Sequence, residues 1–133
     1  VTAAGSPNDL VAVGPRQFYV TDDGGGSAFS RFVDFAVQRT GGGVHYYDGS
    51  GLSRVADGFV MANGIALGPD GSDVYVADTL GRTLKFYSRD TTTGALTPTG
   101  SVFVGTGLDN ITVDSSMGQE SAADVGLNWR YDY

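Results

Sequence analysis

The sequence predicts an all-β protein that makes up part of a β-propeller, with about two blades, the start of a third and one short inserted helix. The 133 residues include 21 glycines, seven tyrosines and seven phenylalanines, a composition that favours short strands and turns over helices. Short apolar runs separated by turn residues occur in groups of four, which is the pattern of one propeller blade. A polar amide opens two such groups, at Asn8 and Asn63, and the start of a third at Asn110. This recurrence indicates successive copies of one structural unit.

Residues 6–60 are predicted to form the first blade, with a long insertion between its second and third strands. The four predicted strands are DLVAVG, QFYVTD, GVHYYD and SRVADGF. They follow the same order as the uninterrupted strands of the next segment. We therefore expect one blade whose sheet is continuous in space although it is interrupted in sequence.

The insertion is predicted to contain a helix at about residues 28–38. Its apolar residues recur at the i, i+3, i+4, i+7 and i+8 spacing of a helix face, namely Phe29, Phe32, Val33, Ala36 and Val37. Glycine triplets at 24–26 and 41–43 flank the helix as flexible hinges. The apolar face is expected to dock onto the protein's own blades. Contact with an apolar substrate or with a membrane surface is the weaker alternative.

Residues 61–105 are predicted to form the second blade. Its strands are GIALG, DVYVAD, TLKFYS and GSVFVG, and the first two are joined by the strong turn sequence Pro69-Asp70-Gly71. The stretch TTTGALTP is predicted to be a surface connection. Leu84 and Phe86 share one face of the third strand, which a neighbouring blade is expected to cover.

Residues 106–133 are predicted to form part of a third blade. The segment opens like the other two, with NITVD, then continues as a polar loop and ends in LNWRYDY, which alternates as a closing strand would. Two blades and part of a third cannot close a ring, because propellers have about four to eight blades. The chain is therefore expected to belong to a larger ring or, less simply, to build a ring from several copies of itself.

Charge and apolar content exclude several classes of function. The formal net charge is −7, which opposes binding to nucleic acid and suits a cation ligand. The chain has no cysteine, and no apolar run approaches the ~20 residues of a membrane span. The first residues, VTAAGSPND, lack the basic start and apolar core of a signal peptide.

The amides that open the strands are candidate metal ligands. In a propeller the first strand of each blade lines the central channel, so residues at the same end of these strands converge. Amide and carboxylate oxygens form the all-oxygen coordination that calcium prefers. Each residue alone is explained as simply by the preference of Asn and Asp for turns. Their repetition in register favours the ligand interpretation for Asn8, Asn63, Asp109 and Asn110.

Three stretches, PNDLVAVGPRQFY, VADGFVMANGIALGPDGSDVYVAD and LDNITVD, resemble the paraoxonase family of calcium-dependent lactonases and arylesterases. The resemblance implies a fragment of a six-bladed β-propeller. It matches Asn8, Asn63, Asp109 and Asn110 to the family's ligands of a catalytic calcium. It also matches Asp9 to a ligand of a second, structural calcium. The helix at 28–38 resembles one that helps to roof the family's active site, which places Phe29, Phe32 and Val33 over the substrate.

The resemblance further implies a hydrolase of small lactones or aryl esters in the secretory pathway or outside the cell. The family's remaining ligand, a glutamate, and its pair of catalytic histidines belong to earlier blades. The only histidine, His45, lies in an outer strand and matches neither, so we assign no catalytic residue. We therefore expect the isolated chain to be incomplete, inactive and prone to self-association or to pairing with other blades. The alternative is a non-catalytic, calcium-stabilised propeller or scaffold.

Overall fold

The computed structural model describes residues 5–113, which form eight strands and one helix. The strands build two four-stranded antiparallel sheets, each with its strands in sequence order. The first sheet contains β1 (Pro7–Gly14), β2 (Gln17–Asp22), β3 (Gly42–Tyr47) and β4 (Leu52–Phe59), and the second contains β5 (Ala62–Leu67), β6 (Asp73–Asp78), β7 (Thr83–Arg89) and β8 (Leu96–Phe103). The predicted polar loop and closing strand, residues 114–133, lie outside the described residues.

The strand predictions hold closely, with one correction on β8. Strands β2 and β6 have the predicted bounds, whereas β8 begins at Leu96 and not at Gly100. The last three residues of TTTGALTP, the stretch predicted to be a surface connection, belong to this strand. Pro98 lies opposite Tyr87 on β8, the outermost strand of its sheet, and proline is tolerated on edge strands.

Helix α1 (Ala28–Ala36) lies between β2 and β3, as predicted, and ends two residues before the expected bound. Ser27 caps its start by accepting a hydrogen bond from the Ser30 N–H at 3.2 Å. Gln38 adopts a positive φ of 52°, a left-handed conformation that ends helices. The expectation that the phenylalanine face docks on the blades is wrong, because Phe29 and Phe32 are 76% and 67% exposed. No described helix is long and apolar enough to cross a membrane.

The main core lies between the two sheets. Tyr19, Phe59, Val74 and Val76 are fully or almost fully buried there. At ~25 cal/mol per Å² of apolar surface, such contacts dominate the stability of the pair. The core brings β1 and β5 side by side, as the first strands of neighbouring propeller blades lie.

A second core covers the other face of the second sheet. Leu84 is fully buried there, together with Leu108 and Ile111. Leu84 is therefore covered within this chain, by residues 108–113 of the segment predicted to begin the third blade. Of the predicted first strand of a third blade, only Val113 has strand character among the described residues.

The two sheets are also joined at the end opposite to the start of β1. The Tyr19 hydroxyl donates a hydrogen bond to the Gly94 carbonyl at 2.8 Å. A Cβ at Gly94 would collide with the Tyr46 ring, and Gly94 has a φ of +76°. The Arg89 guanidinium lies 5.9 Å from the centre of the Tyr19 ring. These contacts fix the angle between the sheets and hence the relative position of their first strands.

Candidate functional site

Asn8 lies in a bulge near the start of β1. Pro7 pairs with Asp22 and Leu10 pairs with Val20, so that two residues of β1 oppose the single Thr21 of β2. Such a bulge bends the strand and redirects the side chains of the residues in it. Bulges of this kind are common beside functional sites.

Asn63 lies in an equivalent bulge in the second sheet. Ala62 pairs with Asp78 and Ile65 pairs with Val76, which leaves Asn63 and Gly64 opposite the single Ala77. The two amides that the sequence singled out therefore occupy the same irregular position in two neighbouring sheets. The structure thus gives the repeated motif a repeated local geometry.

Asp9 joins the two bulges. Its Oδ2 accepts a hydrogen bond from the Ile65 N–H at 3.0 Å, and its Oδ1 accepts one from the Leu10 N–H at 2.8 Å. The Asp9 N–H donates to the hydroxyl of Thr21, which is fully buried. These bonds hold the start of β1 directly against the start of β5.

Gly64 brings the third segment to the same place. Its N–H donates to the Asp109 carbonyl at 3.0 Å. A Cβ at Gly64 would collide with the backbone of Asp109, Asn110 and Ile111. Only a residue without a side chain allows this approach, so the glycine of the Asn-Gly pair has a steric role. The structure thereby brings Asn63 next to the Asp109–Asn110 segment, with Asn8 and Asp9 on the neighbouring strand.

The candidate ligands differ in burial. Asn63 is 4% exposed, and its Oδ1 is buried with no hydrogen-bond partner among the described residues. Asn8, Asp109 and Asn110 are exposed, and Asp9 is half-buried. A buried carbonyl oxygen without a partner costs about 1–3 kcal/mol, a cost that a bound cation would offset. Of the candidate ligands, Asn63 therefore gains most from a bound cation.

The donor set at these positions fits a calcium ion in its chemistry. Calcium binds amide and carboxylate oxygens, and the unpartnered Asn63 Oδ1 is such a donor. Asp9 fits less clearly, since both of its carboxylate oxygens already accept backbone hydrogen bonds. Among residues 5–113 no group of three or more His, Cys, Asp and Glu side chains comes together, so a site here would rely on amides.

His45 lies on β3, the third strand of the first sheet counted from β1. Burial lowers the pKa of its imidazole, although the neighbouring Asp22 carboxylate opposes that shift. The ring is therefore held towards its neutral form. His45 pairs with Val20 of β2, so one strand lies between His45 and the bulged strand β1.

A small cleft lies beside the bulges, beneath the hinges of α1. Its lining includes residues that the sequence analysis did not assign to a site, namely Asp23, Gly24, Gly25, Gly41, Val60, Met61 and Leu80. The only feature of the sequence that these residues share is their position, because each precedes or follows a strand at the same end of the two sheets. The helix residues Phe29, Phe32 and Val33 extend from this hinge, and the first two are largely exposed.

Comparison with known proteins decides the family. A family model described as Arylesterase matches residues 4–123. The chain belongs to the arylesterase family. It is 38% identical over 118 residues to serum paraoxonase/arylesterase 1 of Homo sapiens and 35% identical over 114 residues to serum paraoxonase/lactonase 3 of Rattus norvegicus. These alignments cover 84% and 85% of this chain but only 31% and 32% of the relatives, so it spans about a third of their length. The resemblance predicted from three sequence stretches is thus confirmed.

Solved structures confirm the fold of this arylesterase-family chain. A regucalcin from Agrobacterium tumefaciens, described as a calcium-binding protein, matches with a TM-score of 0.57 and 17% identity, covering 82% of this chain and 35% of that one. A putative 6-phosphogluconolactonase from Bacteroides fragilis matches with a TM-score of 0.60 and 19% identity, covering 87% and 31%. The predicted all-β, partial-propeller class is confirmed.

Proposed function

We propose that this chain supplies much of the calcium cradle of a hydrolase that opens small lactones or aryl esters. One observation carries the proposal most directly, the buried Oδ1 of Asn63 with no hydrogen-bond partner among the described residues. Membership of the arylesterase family supports the reaction class. Two of the similar structures, described as a putative 6-phosphogluconolactonase and as a calcium-binding protein, agree with the substrate and the ion.

In this proposal Asn8, Asn63, Asp109 and Asn110 hold one calcium ion, and Asp9 contributes to a second, structural ion. The bulges aim the two asparagine side chains, and Gly64 lets the Asp109–Asn110 backbone approach Asn63. When bound, calcium supplies polarisation of the ester carbonyl and stabilisation of the charge that develops on its oxygen. The protein's part is to fix the oxygens in advance and to exclude water around Asn63.

We place α1 over the substrate as part of a roof. Phe29 and Phe32 present apolar surface beside the hinge glycines, and neither belongs to the cores formed by the described residues. Exposed aromatic side chains next to a polar site suit the acyl or aryl part of an ester. Val33 would complete the same helix face.

The proposal does not place a general base in this chain. Its single histidine, His45, lies on β3, the third strand of the first sheet, and no catalytic residue is assigned. A base to activate water would come from other blades. If no such base exists in the full-length protein, the same cradle would serve a non-catalytic, calcium-stabilised propeller.

The test compares two substitutions in the full-length protein that carries these residues. Asn63→Ala removes the unpartnered oxygen and should weaken calcium binding and hydrolysis together. Asp70→Asn is the matched control, because Asp70 is exposed in the turn before β6 and accepts its hydrogen bonds from Ser72. Calorimetric titration with calcium measures the calcium affinity of both variants. Unchanged affinity in Asn63→Ala would remove Asn63 from the site.

A further inference from the structure

We propose that Asp22 and Asp78 are a repeated pair of positioning residues that hold Asn8 and Asn63 in the geometry of the metal site. Each aspartate is the last residue of the second strand in its sheet. Each is buried, with exposures of 6% and 1%. The inference rests on the proposed function for its metal readout, but its structural part concerns the two amides alone.

Asp78 fixes the backbone that leads into Asn63. Its carboxylate accepts hydrogen bonds from the N–H of Val60 at 3.1 Å and of Met61 at 2.9 Å. A third bond, from the Gly81 N–H at 3.1 Å, ties the same carboxylate to the following turn. The linker between β4 and β5 is therefore held by one side chain just before the bulge.

Asp22 does the same for the backbone that leads into Asn8. Its carboxylate accepts hydrogen bonds from the N–H of Gly5 at 3.0 Å and of Ser6 at 3.2 Å. The Gly24 N–H, at 3.0 Å, supplies the bond to the following turn. In both sheets the bonded amides are the third and second residues before the asparagine.

The match extends to the main chain. The Asp23 N–H donates to the Ser6 carbonyl at 3.0 Å, and the Thr79 N–H donates to the Met61 carbonyl at 3.0 Å. These donors follow the two aspartates directly in sequence. Aspartate, following turn and bulged amide thus form one unit that occurs twice. In both copies the aspartate holds the backbone directly before the candidate ligand.

The chemistry of the unit requires a carboxylate. An ionised aspartate has two acceptor oxygens and no donor, so it can receive three N–H groups at once. An asparagine of the same shape would turn an NH₂ group towards one of those N–H donors. In the second sheet, Lys85 lies 3.4 Å from the Asp78 carboxylate and balances the buried charge.

The consequence for the site is geometric. The anchored N–H of Met61 lies two residues before Asn63, a span of roughly 7 Å of extended chain. Loss of the hydrogen bond from this N–H to Asp78 would let the bulge at Asn63 and Gly64 move, while the strand pairs from Ile65 onward stay in place. Loss of residues that orient metal ligands typically weakens metal binding roughly 10- to 100-fold.

The first experiment needs no metal. In the calcium-free chain, the side-chain amide resonances of Asn8 and Asn63 are followed by NMR in the variants Asp22→Asn and Asp78→Asn, with Asp70→Asn as control. We expect Asp78→Asn to shift Asn63 and leave Asn8 in place, and Asp22→Asn to do the reverse. Circular dichroism selects conditions in which each variant is folded. Shifts of both amides in both variants, or of neither, would overturn the proposal.

The second experiment is a double-substitution cycle in calcium affinity, measured in the full-length protein. Asp78→Asn should weaken binding roughly tenfold but cause little further loss when Asn63 is already alanine, because it acts through Asn63. Equal losses in both backgrounds would contradict positioning. If Asn63→Ala itself leaves affinity unchanged, the proposed metal role fails, while the NMR comparison still decides whether the aspartates position the amides.

Discussion

The N–H of Gly64 donates a hydrogen bond to the carbonyl of Asp109 at 3.0 Å, and a Cβ on Gly64 would collide with that same oxygen. This contact joins the start of β5 to the third segment of the chain. It lies one residue from Asn63, whose buried Oδ1 has no hydrogen-bond partner within residues 5–113. The Asn-Gly pair therefore combines a candidate ligand with the space needed to bring two more candidates close to it.

Gly64→Ala should disturb the site without unfolding the sheets. The added methyl group must displace the backbone of residues 109–111, and overpacking of this kind typically costs about 1–3 kcal/mol. Urea denaturation measures the change in free energy of unfolding, and amide resonances of residues 108–113 report the displacement. Gly51→Ala is the control, because nothing lies within 4 Å of a Cβ there. Equal effects of the two substitutions would contradict the steric role of Gly64.

Much of the fold followed from local patterns. Alternation and turn residues predicted β2 and β6 residue for residue, since both depend on short-range chemistry. The start of β8 was missed because whether Pro98 is tolerated depends on its place at the sheet edge, which the sequence does not reveal. The cover of Leu84 from within this chain was missed for a similar reason, since Leu108 and Ile111 are distant from it in sequence.

The site was predictable where it repeats. Asn8 and Asn63 were singled out because both precede an apolar strand, and the structure places both in equivalent bulges. Asp22 and Asp78 were overlooked, although each ends a second strand, in YVTD and YVAD. Aligning the two blades residue by residue would have revealed them. Their partners are backbone N–H groups, which leave no mark in a sequence.

Tyr19→Phe should destabilise the contact between the sheets, whereas Tyr46→Phe should not. The Tyr19 hydroxyl donates to the Gly94 carbonyl, so its loss should cost about 1 kcal/mol. The Tyr46 hydroxyl is buried without a partner among the described residues, so its removal should be neutral or stabilising. Thermal and urea unfolding of the two variants provide a matched comparison, because the rings pack together with centres 4.8 Å apart. A reversed order of stability would contradict this assignment.

The stability of the protein should fall in alkaline solution through Tyr87. Burial raises the pKa of its hydroxyl to about 12 from its ordinary 10.0. Above about pH 10 the folded state therefore keeps a proton that the unfolded chain releases. The contribution of Tyr87 to the free energy of unfolding is intact below about pH 10 and is lost as the pH rises towards about 12. Urea unfolding across this pH range should show that the free energy of unfolding declines less in Tyr87→Phe than in the wild-type chain. The same decline in the variant would assign the alkaline loss to other groups.

The isolated 133-residue chain should show no appreciable arylesterase or lactonase turnover. Its proposed ligands come from only part of a ring, and no catalytic role is assigned to its single histidine, which lies on β3. Without a base, water would attack a calcium-polarised ester slowly. Hydrolysis of an aryl ester and of a lactone, each with calcium and with a chelator, measures this. Robust calcium-dependent turnover by pure protein, abolished in Asn63→Ala, would show that the chain contains its own base.

The isolated chain should also self-associate through the outer face of the first sheet. Leu10 is 52% exposed on that face, and Phe18 and Tyr47 stack beside it with ring centres 5.1 Å apart. The net charge of −7 opposes association, but at physiological salt its repulsion is screened beyond ~8 Å. Leu10→Lys places a charge in the apolar face and should reduce association. Thr91→Lys adds the same charge in an exposed turn at the far end of the second sheet and should not. Light scattering over a concentration series compares them, and a wild-type chain that stays monomeric at high concentration would contradict the prediction.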